Sequence, residues 1–303
     1  MYEEFIEELE KAARTKVLNN EMMNRHTTFK VGGPCSLFIN TESVNIPEVV
    51  GICRKNAIPY VILGHGSNVL FGDKGFNGAV IQIDYKKEKV HISADKVTVT
   101  ADAGALLSFT AYCAYDTGLS GMECLSGIPG SVGGALFMNA GAYGGEMKDV
   151  VESARILDKE GNVREVLKDD MDLSYRHSRF MDDGDIILSV KFKLTPGDKD
   201  KIKLDMDDYN GRRRDKQPLN YPSAGSFFKR PEGNFAGKLI EDAGLKGASV
   251  GDACISEKHA GFLVNKGNAT AKDITDLMKK VQDEVYNKFG VRLEPEVKMI
   301  GEF

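Results

Sequence analysis

The feature that most constrains this 303-residue chain is where its glycines fall. Seven of them lie between residues 127 and 145. They occur in Ser126-Gly127-Ile128-Pro129-Gly130-Ser131-Val132-Gly133-Gly134 and in Asn139-Ala140-Gly141-Ala142-Tyr143-Gly144-Gly145. Turns alone do not require so many. A residue without Cβ lets backbone N–H groups come close to a ligand, and a run of them leaves room for a flat one. A long dinucleotide such as FAD meets that description. A glycine-rich crossing of two backbones is the alternative.

A second glycine loop, Leu63-Gly64-His65-Gly66-Ser67-Asn68, follows the apolar run at 60–63. It is not GxGxxG, because Val69 stands where the third glycine belongs, and no GK[ST] follows. A Rossmann fingerprint and a P-loop are both disfavoured. The loop fits a phosphate contact, with Ser67 and Asn68 adding side-chain bonds, and it fits a tight turn equally well.

Composition narrows the class. Hydrophobic residues make up 42% of the chain and charged residues 28%, so it can build a core. The net charge is −5, from 40 basic and 45 acidic residues, which argues against a nucleic-acid binder. An anionic ligand must then be held by a local basic cluster. Cys35, Cys53, Cys113, Cys124 and Cys254 include no CxxC pair, and His26, His65, His91, His177 and His259 show no ligand spacing, so no metal is expected. The acidic, amphipathic N-terminus lacks the basic and apolar regions of a signal peptide, and no run approaches the ~18 apolar residues of a membrane span.

Periodicity predicts helices at 3–14, 47–56, 105–116, 236–243 and 271–289. It predicts strands at 60–63, 79–83, 89–92, 96–101, 153–158, 185–194, 250–255 and 260–264. The polar stretch 196–210 reads as a domain boundary. Four constellations carry chemistry. Tyr175-Arg176-His177-Ser178-Arg179 offers guanidiniums for a carboxylate, although taken alone it reads more simply as a surface loop with exposed charges. Arg212-Arg213-Arg214-Asp215-Lys216 suits a diphosphate or a solvated helix face. Ser223-Ala224-Gly225-Ser226-Phe227-Phe228-Lys229-Arg230 holds Ser226, a candidate acid or nucleophile outside any GxSxG elbow; with no base partner in sight, a turn serine is the favoured reading of these residues alone. Leu293-Glu294-Pro295-Glu296-Val297 places two carboxylates in an extended segment, either of which can serve as acid/base.

In this order the motifs resemble one family. TFKVGGP (28–34), LGHGSNVLF, GIPGSVGGALFMNAGAYGGEM, YRHSRF, AGSFFKRP, AGKLIEDAGLKG, HAGFLVN and LEPEV look like those of the UDP-N-acetylenolpyruvoylglucosamine reductases, the MurB family. The resemblance covers about residues 17–303. It implies an α+β fold: a two-lobed, vanillyl-alcohol-oxidase-like (PCMH-type) FAD-binding module at 1–197, with lobes about 17–84 and 85–197. A C-terminal α+β substrate domain would follow at 198–303, its 293–303 tail returning to the flavin side. The chain looks like the shorter subtype without a Tyr-bearing substrate loop, because 190–212 has no room for the insertion. It departs from the longer subtype's GSFFKNP at Arg230.

The resemblance further implies that NADPH reduces non-covalently bound FAD, which then reduces an enolpyruvyl ether on UDP-N-acetylglucosamine. That reaction belongs to peptidoglycan precursor synthesis and so to cell-wall growth, shape and division. The implied flavin contacts are Gly64, His65, Gly66, Ser67, Asn68, Gly127, Ile128, Pro129, Gly130, Ser131, Gly133, Asn139, Gly141 and Ala142. Arg176, Ser226 and Glu296 would be catalytic. Tyr175, Arg214, Lys216, Lys229 and Arg230 would bind substrate. A monomer in the bacterial cytoplasm is the family's expectation. An FAD oxidase of the same superfamily and a non-catalytic flavin or sugar-nucleotide binder are the rival readings.

Overall fold

The computed structural model describes residues 2–86 and 91–303. The chain forms two compact units, each assembled from separate stretches: Met1–Leu18, Leu37–His65 and Gly78–Arg213 in the first, and Asn19–Ser36, Gly66–Asn77 and Arg214–Phe303 in the second.

In the first unit, Phe76–Ile83 lies between Pro34–Thr41 and Tyr60–Leu63, and it pairs in parallel with the latter, Tyr60 opposite Ala79. From Gly78 to Ile83 every residue is buried, as expected of a strand covered on both faces. Ile46–Lys55 carries Pro47 in its first turn and buries Val49, Val50, Ile52 and Cys53. Burial pushes the Cys53 thiol up to about 11, so it behaves as a small apolar side chain. A second, antiparallel sheet runs Val163–Leu167, Val151–Leu157, Ile186–Lys193, Thr98–Asp102, Ile92–Ala94. Of the strand expected at 89–92, residues 89 and 90 lie outside the described residues. Leu107–Asp116 ends before Gly118, whose φ of +73° suits glycine.

The stretch expected to be a boundary is an 18-residue helix, Lys199–Lys216. Only Ile202 and Met206 are buried on it, and both join the first unit's core, so residues 198–213 belong there. So thin an apolar stripe reads as a linker in sequence. Ion pairs at i,i+4, Asp208–Arg212 among them, add a few tenths of a kcal/mol each.

The second unit has the antiparallel sheet Ser223–Ser226, Phe262–Asn265, Ala253–Ile255, Ser249–Val250. Ala271–Phe289 buries Ile274, Leu277, Met278, Val281 and Val285. Its start is closed by a Thr270/Asp273 capping box and by Asp73, whose carboxylate accepts from the N–H groups of Ala271 and Lys272 at 2.7 and 2.9 Å. Its end is closed by Gly290 at φ +68°. Phe29, Val31 and Leu70 pack into the same core, which draws residues 19–36 and 66–77 into this unit. The division therefore differs from a cut at 197/198: long-range apolar contacts, invisible to local composition, decide it. Lys298–Ile300 adds to Val69–Phe71 in parallel, so the C-terminal strand is seated on the residues that follow Asn68.

Candidate active site

The two glycine segments use their missing Cβ atoms mainly against the protein itself. A Cβ on Gly64 would meet Ser131 Oγ at 2.1 Å, and one on Gly133 would meet the Ala103 Cβ at 2.8 Å. One on Gly141 would meet the Gly145 carbonyl at 2.6 Å, and one on Gly66 (φ +70°) the His26 carbonyl at 2.2 Å. Backbone crossing thus explains many of these positions.

It does not explain the donors. Among the described residues, the N–H groups of Gly66, Ser67 and Asn68 in the second unit have no protein acceptor, nor do those of Gly127, Gly130 and Ser131 in the first. Their neighbours are satisfied: Val132 donates to Ala105, Gly133 to Ala103, and Thr28 to the Gly66 carbonyl. Successive unsatisfied N–H groups in small-residue loops form anion cradles, and these donors fit the phosphates of a dinucleotide. Ile128 and Pro129 lie on the same loop; Ile128 donates to Leu125. His65 packs edge-on to Tyr85, with ring centroids 4.8 Å apart.

Asn139 has a different job from a ligand contact. It is fully buried with φ +40°, and its amide donates to Glu146 Oε2 at 2.9 Å and to the Ser174 carbonyl at 2.8 Å, while its Oδ1 accepts from Lys148 N–H. It therefore ties the 141–146 hairpin to the Arg176 loop. In that loop Ser174 and His177 close a two-residue turn. Arg176, at its tip, has φ +55°, an uncommon value for a residue with a side chain. Its guanidinium lies 5.0 Å from the Tyr175 ring and donates to the Gly141 carbonyl at 3.4 Å. Arg176 and Gly141, with Ala142 next to it, thus meet within the first unit.

Arg213 was singled out only as one of five residues in a basic run, and the structure separates it from the rest. Arg212 pairs with Asp208, and Arg214 and Lys216 are exposed. Arg213 is half-buried and hydrogen-bonded to Tyr143. A Cβ on Gly127 would meet Asn210 Oδ1 at 2.3 Å and Arg213 Nε at 3.2 Å, and Asn210 donates to Ser126 at 3.2 Å. Burial pushes the Arg213 guanidinium below its ordinary value. The helical spacing 202, 206, 209, 213 was the available signal.

In the second unit Ser226 ends its strand, exposed, after Gly225 at φ +77°. Phe227 is the node beside it. Its N–H donates to the Gly261 carbonyl and its carbonyl accepts from Glu296 N–H, both at 2.8 Å. Ser226 and Glu296 therefore lie on adjoining segments, and Asn68 Nδ2 donates to the Glu296 carbonyl at 3.3 Å. Glu294 is 75% exposed and pairs with Lys229 at 3.4 Å, so the two carboxylates have unlike surroundings. Burial and the neighbouring Lys229 push the Lys298 ammonium below its ordinary value, against the pull of Glu296. Arg230 stacks on Phe235 at 4.5 Å.

Residues 38–167 match the FAD binding domain family, which makes the class a flavoprotein. Residues 217–300 match the C-terminal domain of UDP-N-acetylenolpyruvoylglucosamine reductase. The chain is 51% identical to the reductase of that name from Agathobacter rectalis, over 95% of each chain, and 51% identical to that of Clostridium novyi, over 95% and 94%. The crystal structure of MurB from Thermus caldophilus superposes with a TM-score of 0.79 at 35% identity, covering 94% of this chain and 98% of that one. The chain belongs to the UDP-N-acetylenolpyruvoylglucosamine reductase (MurB) family.

Proposed function

We infer that the protein reduces the enolpyruvyl ether of UDP-N-acetylglucosamine to the lactyl ether of UDP-N-acetylmuramate, with NADPH as hydride donor, in peptidoglycan precursor synthesis. The observation that carries this reading is the presence of both matched domains in one chain whose full length follows the reductases. FAD, when bound, supplies the two-electron relay from NADPH to C3 of the enolpyruvyl group. The chain supplies binding, charge stabilisation and a proton.

The N–H groups of Gly66, Ser67 and Asn68 on one loop, and of Gly127, Gly130 and Ser131 on the other, bind the dinucleotide, with Gly64, His65, Ile128, Pro129, Gly133, Gly141 and Ala142 shaping those loops. Arg176 grips the substrate carboxylate and offsets the negative charge that develops on C2 and the carboxylate. Glu296 shares that task. The Ser226 hydroxyl delivers the proton to C2; serine is a weak acid, so a strongly basic carbon must draw it. Tyr175, Arg214, Lys216, Lys229 and Arg230 hold the UDP-sugar. Asn139, expected at the flavin, instead supports the loop that presents Arg176. The protein is of the shorter subtype and works as a monomer in the bacterial cytoplasm. Among the described residues no helix is long and apolar enough to cross a membrane.

The test is the flavin absorption of purified protein under anaerobic conditions. NADPH should bleach it, and UDP-N-acetylglucosamine enolpyruvate should restore it. Bleaching without recovery overturns the substrate, and no band after reconstitution with FAD overturns the flavoprotein reading.

A further inference from the structure

We propose that His259 is a positioning residue for the Ser226 hydroxyl, acting through the backbone of Gly261 and Phe227. The proposal rests on the reading of Ser226 as proton donor.

Five hydrogen bonds lead to it. His259 Nδ1 accepts the Gly261 N–H at 3.1 Å, which fixes the neutral ring with its proton on Nε2. The Gly261 carbonyl accepts the Phe227 N–H at 2.8 Å. The His259 carbonyl accepts the Phe262 N–H at 3.0 Å, and Phe262 stands opposite Ser226 in the sheet register. Ser256 Oγ accepts from the N–H groups of Lys258 and His259 at 3.2 and 3.3 Å, closing the other side of the turn. One short turn therefore supplies both neighbours that aim Ser226.

The strand needs that help. The pairing with Phe262–Asn265 shifts register between Ser223 and Ser226, and Gly225 there has φ +77°. Ser226 rejoins the ladder only beyond that irregularity, opposite Phe262, so its placement depends on the turn that carries Phe262. The imidazole itself is closely packed. A Cβ on Gly261 would meet its Cε1 at 3.0 Å, one on Gly237 would meet it at 3.4 Å, and the Phe262 ring lies edge-on at 5.0 Å. The charged groups acting on it are Lys246 and Glu241, which pair with each other at 2.7 Å. Burial, helped by Lys246 and opposed by Glu241, pushes the imidazole below its ordinary range, so it is neutral at pH 7. Acid converts Nδ1 from acceptor to donor, and a donor cannot face the Gly261 N–H. The turn then loosens, and Ser226 with it.

The experiment follows both half-reactions by anaerobic stopped flow on the FAD-loaded enzyme, between about pH 5 and 8. In the unaltered enzyme, reoxidation by enolpyruvyl substrate should fall toward acid. His259→Asn, whose amide oxygen can accept from Gly261 without titrating, should keep most of the rate and flatten that fall. His259→Phe should slow reoxidation about tenfold, the effect of one lost hydrogen bond, and leave reduction by NADPH unchanged. Gly261→Ala, which presses on the ring, should show the same selectivity and provides a second route if the His259 variants fold poorly. Equal slowing of both half-reactions, or an unchanged acid limb in His259→Asn, would overturn the proposal. If Ser226→Ala slows reoxidation while none of these variants does, the positioning role alone fails. If Ser226→Ala leaves reoxidation intact, the reading of Ser226 fails.

Discussion

The glycine-rich stretch at 126–146 and the Phe227 node work in opposite ways. In the first, side chains have been removed so that backbones can cross, and the remaining backbone donors of Gly127, Gly130 and Ser131 face no protein acceptor. In the second, the Phe227 backbone is engaged on both sides, its N–H by Gly261 and its carbonyl by Glu296 N–H, and Ser226 stands exposed beside it. One region binds by what it lacks; the other acts by what it presents. Damage to the first should lower stability and cofactor retention, whereas damage to the second should lower one rate and spare the fold.

The largest effect tests the second half of that contrast. Ser226→Ala should slow substrate-driven reoxidation about 10²–10⁴-fold, the usual value of general acid catalysis, while reduction by NADPH stays unchanged in stopped flow. Equal loss in both steps would remove the distinction. Gly133→Ala tests the first half: the new Cβ meets Ala103 at 2.8 Å, so thermal unfolding should show about 1–3 kcal/mol of destabilisation and weaker FAD retention. A neutral result would mean that this crossing is soft. Asn139→Ala tests the first region's tie to the Arg176 loop, because it frees Glu146 and the Ser174 carbonyl from one buried amide. It should cost about 1–3 kcal/mol and raise the substrate KM by releasing the Arg176 loop.

The smallest effect is on stability against pH. Burial raises the Asp102 carboxyl above its ordinary value, although the His91 N–H bond at 2.7 Å opposes this. A raised carboxyl favours the folded state while protonated, and that contribution is lost as pH rises through its folded value. Asp102→Asn should therefore gain slightly on the parent near pH 7 and lose the advantage in acid, as read by denaturant midpoints. The reverse slope would count against burial as the dominant cause.

Much of the fold was legible because it is local. Pro47, Gly118, the 271–289 stripe and the YVIL run mark their elements through backbone sterics and side-chain period, which act within a few residues. The basic stretch 212–216 was legible as a cluster but not as parts. Arg213 turns toward Gly127 and Tyr143, and Arg212 is taken up by Asp208, a sorting that only helical phase and packing produce. Glu294 and Glu296 alternate alike in sequence; in the structure the Glu294 carboxylate pairs with Lys229, while the Glu296 backbone N–H is fixed on the Phe227 carbonyl.

By itself, then, the sequence determined the class of protein through its ordered motifs, which resemble one family; the glycine spacing left a ligand site and a backbone crossing both open, and the acidic balance argued only against a nucleic-acid binder. Tertiary structure alone decided which residues form each compact unit, since Phe29 and Leu70 join a core built mostly from the last third of the chain. It also bonded Asn139 to Glu146 and to the Ser174 carbonyl, and joined His259 through Gly261 to Phe227. The physical reason is common to all three. Burial and hydrogen bonding act between groups close in space, and 35 residues separate Asn139 from Ser174 while 195 separate Thr28 from the Ser223 carbonyl it donates to.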